Sequence, residues 1–227
     1  MTDRGLPLRI FLQLVATIAA LTVSTSVQAT EVPAPGSDTP AHEARRWFTE
    51  DPDAPIIAPK GYDVTIVEYM DYQCPSCRAT VGPLKQLLAK DKKVRVIFRD
   101  WPIFGAASEK AARLALASKY QGKYVAFHEA LFAMARPLTD AKIEAAAKKA
   151  GVDWDLLLKD KELHSKDIED LLARNDAQAN MLGLDGTPGF IIGNTKSFGG
   201  MTLKDLEESV ANARRKSAVA AKEEGGR

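Results

Sequence analysis

The sequence has little cysteine, little histidine and almost no net charge. Its 227 residues include two cysteines and three histidines, and 31 basic against 30 acidic side chains leave a formal charge of +1. Because the charge is so nearly balanced, nothing favours a nucleic acid or an anionic membrane as a partner. The histidines have no motif spacing to the cysteines, so a zinc site would lack ligands. We therefore predict no bound metal and no cofactor.

The sequence also lacks an apolar run long enough to span a bilayer. The longest run, residues 10–23, is interrupted by a glutamine and two threonines and falls short of the roughly 20 residues that a spanning helix needs. Arg4 and Arg9 lie before this run, and small residues lead up to Ala29. This order is typical of a secretory signal peptide. We predict cleavage after Ala29 and export to the periplasm; an uncleaved anchor is the alternative.

The two cysteines, Cys74 and Cys77, are separated by two residues. Cysteines of exported proteins tend to be paired, because the compartment is oxidising. A bridge across so short a loop removes almost no entropy from the unfolded chain and therefore stabilises little. The pair is better explained by chemistry than by stabilisation. A structural disulfide, or two thiols buried side by side by coincidence, are the alternatives.

The apolar pattern before residue 104 predicts a βαβ unit. A β-branched run over Val64–Met70 indicates a strand buried on both faces, and a helix with one apolar face is expected over 74–90. A second strand follows at Val94–Phe98, which places the cysteines at a strand-to-helix junction. Upstream, a short helix is expected at Glu43–Thr49, within a linker rich in proline.

The rest of the chain predicts helices and then a short return to strands. Apolar stripes at helical spacing fill the segment up to residue 182, and strands return as a hairpin at Gly189–Ile192 and Ser197–Phe198. Thr202 and Asp205 form a capping box for a last helix. The predicted organisation is a signal peptide (1–29), a linker and lead-in (30–55), the first half of an α/β domain (56–103), an all-helical insert (104–182), the second half (183–215) and a flexible tail (216–227).

The position of the cysteines assigns them different roles. A helix N-terminus stabilises a thiolate through its free N–H groups and partial positive charge, and a thiolate is the species that attacks a disulfide. Cys74 is placed there, so we predict that it is exposed and is the attacking and leaving sulfur. Cys77 lies one turn further along on the apolar face, where burial keeps its pKa high. It is predicted to be the resolving sulfur.

Two segments carry a family resemblance. Residues 68–78 (EYMDYQCPSCR) and 186–193 (GTPGFIIG) resemble the active-site and cis-proline segments of DsbA-like thioredoxin-fold oxidoreductases. Residues 98–104 (FRDWPIF) and 121–128 (QGKYVAFH) resemble the start of that family's inserted helical domain. The resemblance extends from about residue 56 to 210. It implies an α/β thioredoxin-like fold with an inserted helical subdomain, and a thiol–disulfide oxidoreductase.

The resemblance also implies roles for individual residues. Pro188 would be cis and face the cysteines, and Thr187 would offer backbone hydrogen bonds to a substrate peptide. Glu68 would be the buried acid that exchanges a proton with Cys77; the alternative is an edge position facing solvent. The family does not fix the position of Arg99, but its place at the end of the second strand makes it a possible counter-charge to Glu68; exposure to solvent is the alternative.

The dipeptide between the cysteines, Pro75-Ser76, lacks the histidine of the most oxidising family members. We therefore expect the pKa of Cys74 to be lowered less than in DsbA, and a potential between about −120 and −270 mV. These two residues are expected to lie beside a bound substrate.

The function predicted from these features is oxidation of cysteine pairs in reduced exported proteins through a Cys74–Cys77 disulfide. A membrane partner resembling DsbB would regenerate the enzyme, and the segment before the first strand is too short for a dimerisation domain, so a monomer is expected. One alternative is an isomerase or reductase kept reduced by a DsbD-like partner. Another is a periplasmic chaperone or metal-binding module without catalysis on the same fold.

Overall fold

A five-stranded mixed sheet organises the part of the chain that the structure describes. The computed structural model describes residues 40–225, so the predicted signal peptide and the first part of the linker lie outside the described residues. The sheet order is β1-β3-β2-β4-β5; β2 and β3 are parallel and the other neighbours are antiparallel. The strands are β1 (Ile56–Ile57), β2 (Val64–Met70), β3 (Val94–Asp100), β4 (Gly189–Ile192) and β5 (Thr195–Phe198).

Helices cover both faces of this sheet. They are α1 (Pro40–Thr49), α2 (Pro75–Lys90), α3 (Ala106–Ala117), α4 (Tyr124–Ala133), α5 (Asp140–Lys149), α6 (Trp154–Leu163), α7 (Ser165–Met181) and α8 (Leu203–Gly225), with a 3-10 turn at Ser118–Gln121. Between residues 40 and 225, no helix combines the length and apolarity that crossing a membrane requires. Helices α3 to α7 all lie between β3 and β4 in the chain, which is the predicted insert into an α/β fold.

Strand β2 lies at the centre of the sheet, and all seven of its residues are buried. Because side chains alternate along a strand, Ile66, Glu68 and Met70 share one face, which we call the α2 face. On this face Ile66 and Met70 pack in one core with Cys77. Val67 and Tyr69 share the opposite face, which we call the α7 face, where they pack with Ala179 of α7. The prediction of a strand buried on both sides is therefore confirmed.

Most predicted elements are present, with two differences in the insert and at the carboxyl end. Helix α6 was not distinguished as an element, although Asp153 caps it by accepting a hydrogen bond from the Leu156 N–H (2.9 Å). The capping box at Thr202 and Asp205 is confirmed by reciprocal side-chain-to-backbone hydrogen bonds. The helix after it does not end near residue 216, as the predicted tail requires. It continues to Gly225, because residues 217–224 are mostly alanine, lysine and glutamate, which favour helix.

Candidate active site at the cysteine pair

The two cysteines lie at the start of α2, directly beyond the end of the central strand. Cys74 is the N-cap residue, with extended backbone angles (φ −73°, ψ 124°), and Pro75 occupies the first turn. The Cys74 Sγ accepts a hydrogen bond from the Cys77 N–H at 3.4 Å. Sulfur therefore fills the position that a serine or aspartate oxygen usually takes at a helix N-terminus. Both cysteines are free thiols in the structure.

The two thiols differ in acidity, as their positions predict. The pKa of Cys74 is lowered to about 6, chiefly because the Cys77 thiol donates a hydrogen bond to it. The N–H groups of Cys77 and Ser76 add to this, against the cost of burial. Burial raises the pKa of Cys77, and its hydrogen bond to Cys74 raises it further. At neutral pH, Cys74 is therefore the thiolate and Cys77 the thiol.

The predicted exposure of Cys74 is wrong. Only 2% of the residue is accessible, because its Sγ lies 3.1 Å from the carbonyl oxygen of Thr187, 113 residues further along the chain. The dipeptide Pro75-Ser76 is exposed in its place. Access to the Cys74 sulfur therefore depends on the Thr187 segment that covers it.

The covering segment contains the predicted proline. The Thr187–Pro188 peptide bond is cis, and Pro188 leads directly into β4, which pairs with β2. Proline and cysteines therefore face each other, as the resemblance implies. The Thr187 hydroxyl oxygen is buried and has no hydrogen-bond partner among the described residues.

Glu68 is buried within the central strand. It is 2% exposed and lies between Phe98 of β3 and Phe190 of β4 in the sheet register. Burial raises its pKa to about 8, with further contributions from the charges of Asp100 and Cys74. The alternative of a solvent-facing edge position is therefore wrong, because β2 has a strand on each side.

Arg99 is not the counter-charge of Glu68. In the register of the parallel pair it lies beside Tyr69, on the α7 face. Its guanidinium donates to the carboxylate of Asp51 (2.7 Å) and to the carbonyl of Phe48 (3.0 Å), so it anchors the segment before β1. Because side chains alternate along a strand and Phe98 is the partner of Glu68, the next residue, Arg99, projects from the opposite face of the sheet.

Asp71 is a buried residue of the site that sequence reasoning missed. It is 1% exposed, and its carboxylate accepts four hydrogen bonds. The donors are the N–H groups of Gln73 (2.6 Å), Ile103 (2.7 Å) and Phe104 (3.0 Å) and the Ser108 hydroxyl (2.6 Å). Asp71 thereby fixes the loop before Cys74 to the start of the helical insert. Its position directly after a buried strand was the only available signal.

A second missed feature is a polar cluster on the α2 face. Asp100 accepts a hydrogen bond from the Tyr124 hydroxyl at 2.7 Å, and the Tyr72 hydroxyl lies 3.3 Å from His128 Nδ1. His128 is buried among aromatic rings including Phe98. Burial lowers its pKa to about 3, so it is neutral at physiological pH.

A segment after β5 also reaches the cysteine loop. A Cβ added to Gly200 would lie 3.3 Å from the Ser76 carbonyl oxygen, so this backbone approaches the exposed dipeptide closely. The Met201 N–H donates to the Thr80 hydroxyl at 3.1 Å, and that hydroxyl donates to the Ser76 carbonyl at 3.0 Å. Three separate segments therefore frame the cysteines: the start of α2, the cis-proline segment and the loop before α8.

Comparison with known proteins places this arrangement in a family. The model of the DSBA-like thioredoxin domain matches residues 65–211. A thioredoxin-like oxidoreductase from Silicibacter pomeroyi is 36% identical, with a TM-score of 0.72, over 75% of this chain and 98% of that one. The thiol-disulfide exchange protein alpha-DsbA2 from Wolbachia pipientis is 31% identical, with a TM-score of 0.71, over 75% of this chain and 91% of that one.

Curated relatives include much longer proteins. The Na(+)/H(+) antiporter NhaA 3 of Salinispora tropica is 27% identical over 78% of this chain, but the chain spans only 27% of that protein's length. The match to the family model, by contrast, includes both cysteines, Glu68 and the cis-proline. The chain belongs to the DsbA-like thioredoxin-domain family.

Proposed function

We propose that this protein oxidises cysteine pairs in exported proteins, in the periplasm, through a Cys74–Cys77 disulfide. The observation that carries the proposal is the difference between the two thiols. Cys74, whose pKa is lowered to about 6, is a good leaving thiolate, and a low-pKa leaving group makes a disulfide more reactive towards substrate. Cys77, with its raised pKa, is suited to remain covered and to resolve mixed disulfides.

The reaction begins with the enzyme in its disulfide form. A substrate thiolate attacks the Cys74 sulfur, the Cys74–Cys77 bond breaks, and Cys77 leaves with the electron pair and takes up a proton. A second substrate thiolate then attacks the substrate sulfur of the mixed disulfide, and Cys74 leaves as a thiolate. Two electrons have moved from the substrate dithiol to the enzyme, which now holds the dithiol form seen in the structure.

Glu68 is proposed to supply the proton to Cys77. Its pKa of about 8 keeps it protonated at neutral pH, so a buried carboxylic acid is available when the Cys77 thiolate forms. The charge of a Cys74 thiolate contributes to that pKa, which indicates that the carboxyl group and the cysteine pair are coupled. A general acid of this kind works best when its pKa lies near the operating pH.

The cis-proline segment is proposed to hold the substrate. Thr187 and Pro188 cover the Cys74 sulfur, so a peptide that pairs with the Thr187 backbone would take the place of that contact and bring its own sulfur to Cys74. Pro75 and Ser76 are exposed beside the pair and would border the peptide. Strand-like pairing of this kind recognises backbone rather than sequence, which suits varied substrates.

Regeneration requires an oxidant outside this chain. We propose a membrane partner resembling DsbB, which would accept two electrons from the dithiol, and export guided by the signal-like segment that ends at Ala29. The Cys74 pKa of about 6 is lowered less than in DsbA, where it is about 3.5. The proposed potential therefore lies between those of DsbA and thioredoxin, about −120 and −270 mV.

The direction of electron flow is tested by trapping thiols in intact cells with an alkylating reagent that adds mass. An oxidase is expected to be mostly in the disulfide form, and a dithiol form would show a reductase or isomerase kept reduced by a DsbD-like partner. The purified Cys74→Ser variant separates catalysis from chaperone activity. We expect it to lose all oxidation of a reduced, unfolded test protein, and retained turnover would refute the proposed role of Cys74.

A further inference from the structure

Asp100 is a second buried carboxyl group close to Glu68. It ends β3, is 1% exposed, and lies opposite Met70 in the register of the parallel pair, two residues beyond the Phe98–Glu68 position. Side chains two residues apart on a strand share a face. Asp100 and Glu68 therefore lie diagonally on neighbouring strands and both project from the α2 face.

Asp100 has few hydrogen-bond partners for a buried acid. Its Oδ2 accepts from the Tyr124 hydroxyl at 2.7 Å, and the Tyr72 hydroxyl also favours its charged form. Its Oδ1 is buried without a partner among the described residues. A fully ionised carboxylate that is buried in this way is costly, because each uncompensated oxygen loses its hydration. The site is therefore better suited to a carboxyl group that shares or exchanges protons than to a permanent charge.

The titratable groups around the two carboxyls provide no buried cation in the described part of the chain. The start of α2 contributes the thiols of Cys74 and Cys77, the loop after β2 contributes Asp71 and Tyr72, and α4 contributes Tyr124 and neutral His128.

Arg99 faces the opposite side of the sheet, where it is paired with Asp51. Phe98 and Phe190, the neighbours of Glu68 in the sheet, do not titrate.

A small cavity borders Glu68 on the α2 face. This cavity of about 20 Å³ is lined by Glu68 and His128 and also by Lys85 and Glu129, a volume that holds about one water molecule. Lys85 and Glu129 form an ion pair at 2.6 Å that is partly exposed. The Glu68 carboxyl group therefore borders a space for about one water molecule that two partly exposed side chains also line.

We propose that Asp100 is a positioning residue for proton transfer at Cys77: its carboxylate repels a negative charge on Glu68 and so keeps Glu68 protonated at neutral pH. Two carboxyl groups that share a dry site cannot both ionise easily, and one of them retains its proton. When Cys77 leaves as a thiolate, it takes that proton and Glu68 becomes the carboxylate. Glu68 then recovers a proton from water. The proposal rests on the role given above to Glu68.

The first test follows the Glu68 carboxyl group by NMR titration in the wild-type protein and in Asp100→Asn, which keeps the shape and removes the charge. We expect Glu68 to titrate about one pH unit lower in the variant. An unchanged titration of Glu68 would overturn the proposal. This readout needs no turnover, so it remains valid even if the protein proves not to be an oxidase.

The second test follows the single-turnover oxidation of a dithiol peptide as a function of pH. In the wild-type protein the rate is expected to fall as pH rises through the raised pKa of Glu68, which is somewhat below about 8 in the disulfide form because the charge of a Cys74 thiolate is then absent. In Asp100→Asn the fall should occur at lower pH, with a rate up to about tenfold lower at pH 8. If Asp100 acts through Glu68, Asp100→Asn should not change the pH profile of a protein that already carries Glu68→Gln. Equal shifts of the profile with and without Glu68→Gln would refute the proposal.

A milder variant covers the case in which Asp100→Asn does not fold. Tyr124→Phe removes the hydrogen bond that stabilises the Asp100 carboxylate, so Asp100 is less often charged and repels Glu68 less. The titration of Glu68 should then move in the same direction by a few tenths of a pH unit. Movement towards higher pH would contradict the proposal. Wild-type protein that oxidises the peptide at no pH would instead remove the proposed function and leave the NMR result standing.

Discussion

The two faces of the central strand both bury acidic side chains, and they compensate them differently. On the α7 face, Asp51 receives the Arg99 guanidinium at 2.7 Å and Arg174 at 3.3 Å. On the α2 face, Glu68 and Asp100 are buried and neither forms an ion pair among the described residues; Lys85, which lines the cavity beside Glu68, is paired with Glu129. The same strand therefore separates a compensated ion pair from an uncompensated pair of acids.

This difference shows in the direction of the pKa shifts. Burial tends to raise the pKa of Asp51, but hydrogen bonds from Arg99 and from the Asp53 N–H outweigh it and lower the pKa. Burial raises the pKa of Glu68 to about 8, and the charge of Asp100 adds to it. The α7 face thus favours the charged form of its carboxyl group, whereas the α2 face favours the protonated form.

The largest expected effect comes from breaking the ion pair on the α7 face. Among the described residues, Arg99→Met leaves the partly exposed Arg174 as the cation paired with Asp51. Loss of one partner of a buried pair costs about 3–5 kcal/mol. Urea denaturation measures the loss. Arg174→Met is the matched control, because it removes a partly exposed partner of the same carboxylate and should cost under about 1 kcal/mol. Equal losses in the two variants would show that burial of Arg99 is not what matters.

The comparison of faces could be predicted only in part from sequence. The run Val64–Met70 identifies a buried strand, and it therefore places Glu68 in the core. The register with β3 cannot be obtained in this way. Without the pairing of Glu68 with Phe98, Arg99 is a plausible partner for Glu68, and Asp100 falls beyond the predicted strand Val94–Phe98.

The burial of Asp71, Asp100 and Cys74 is set by contacts that are distant in the sequence. Ser108 of α3 donates to Asp71, Tyr124 of α4 donates to Asp100, and the Thr187 carbonyl covers Cys74. Helical periodicity predicts that these helices exist, but it does not predict where they dock. The local motif around the cysteines was therefore found from the sequence, and the electrostatic environment that surrounds it was not.

The next largest effect is a pH dependence of stability with opposite signs on the two faces. Because the pKa of Glu68 is higher in the folded state than its ordinary value of 4.5, the native state binds more protons between pH 5 and 8. The free energy of unfolding should therefore fall as pH rises through that range, by up to about 1.4 kcal/mol per pH unit. Asp51, with a lowered pKa, loses its contribution only as pH falls below its ordinary range.

Glu68→Gln is the variant that isolates this slope. It should be more stable than the wild-type protein at pH 8. It should also lose part of the pH dependence of the free energy of unfolding between pH 5 and 8. The rest of that dependence comes from Asp100, whose pKa is also raised by burial. Urea titrations at half-unit pH steps measure both. A slope unchanged in Glu68→Gln would mean that Glu68 is ionised in the folded protein, and its proposed role as a proton donor would fail.

The smallest effect uses one matched tyrosine from each face. Tyr69 donates a hydrogen bond to Gln178 on the α7 face at 3.0 Å, and the Tyr72 hydroxyl contacts His128 on the α2 face at 3.3 Å. Replacing either with phenylalanine removes one buried hydrogen bond and should cost about 1 kcal/mol in urea denaturation. Stability alone therefore does not distinguish the two variants.

The pH profile of dithiol oxidation should distinguish them. The Tyr72 hydroxyl also helps to stabilise the Asp100 carboxylate, so Tyr72→Phe leaves Asp100 less often charged and Glu68 less strongly protonated. Its profile should move a few tenths of a pH unit lower, whereas Tyr69→Phe should leave the profile where it is. An equal shift of the pH profile in both variants would mean that the sheet does not separate the two sets of charges. A change of packing on either face would then alter the reaction of the thiols.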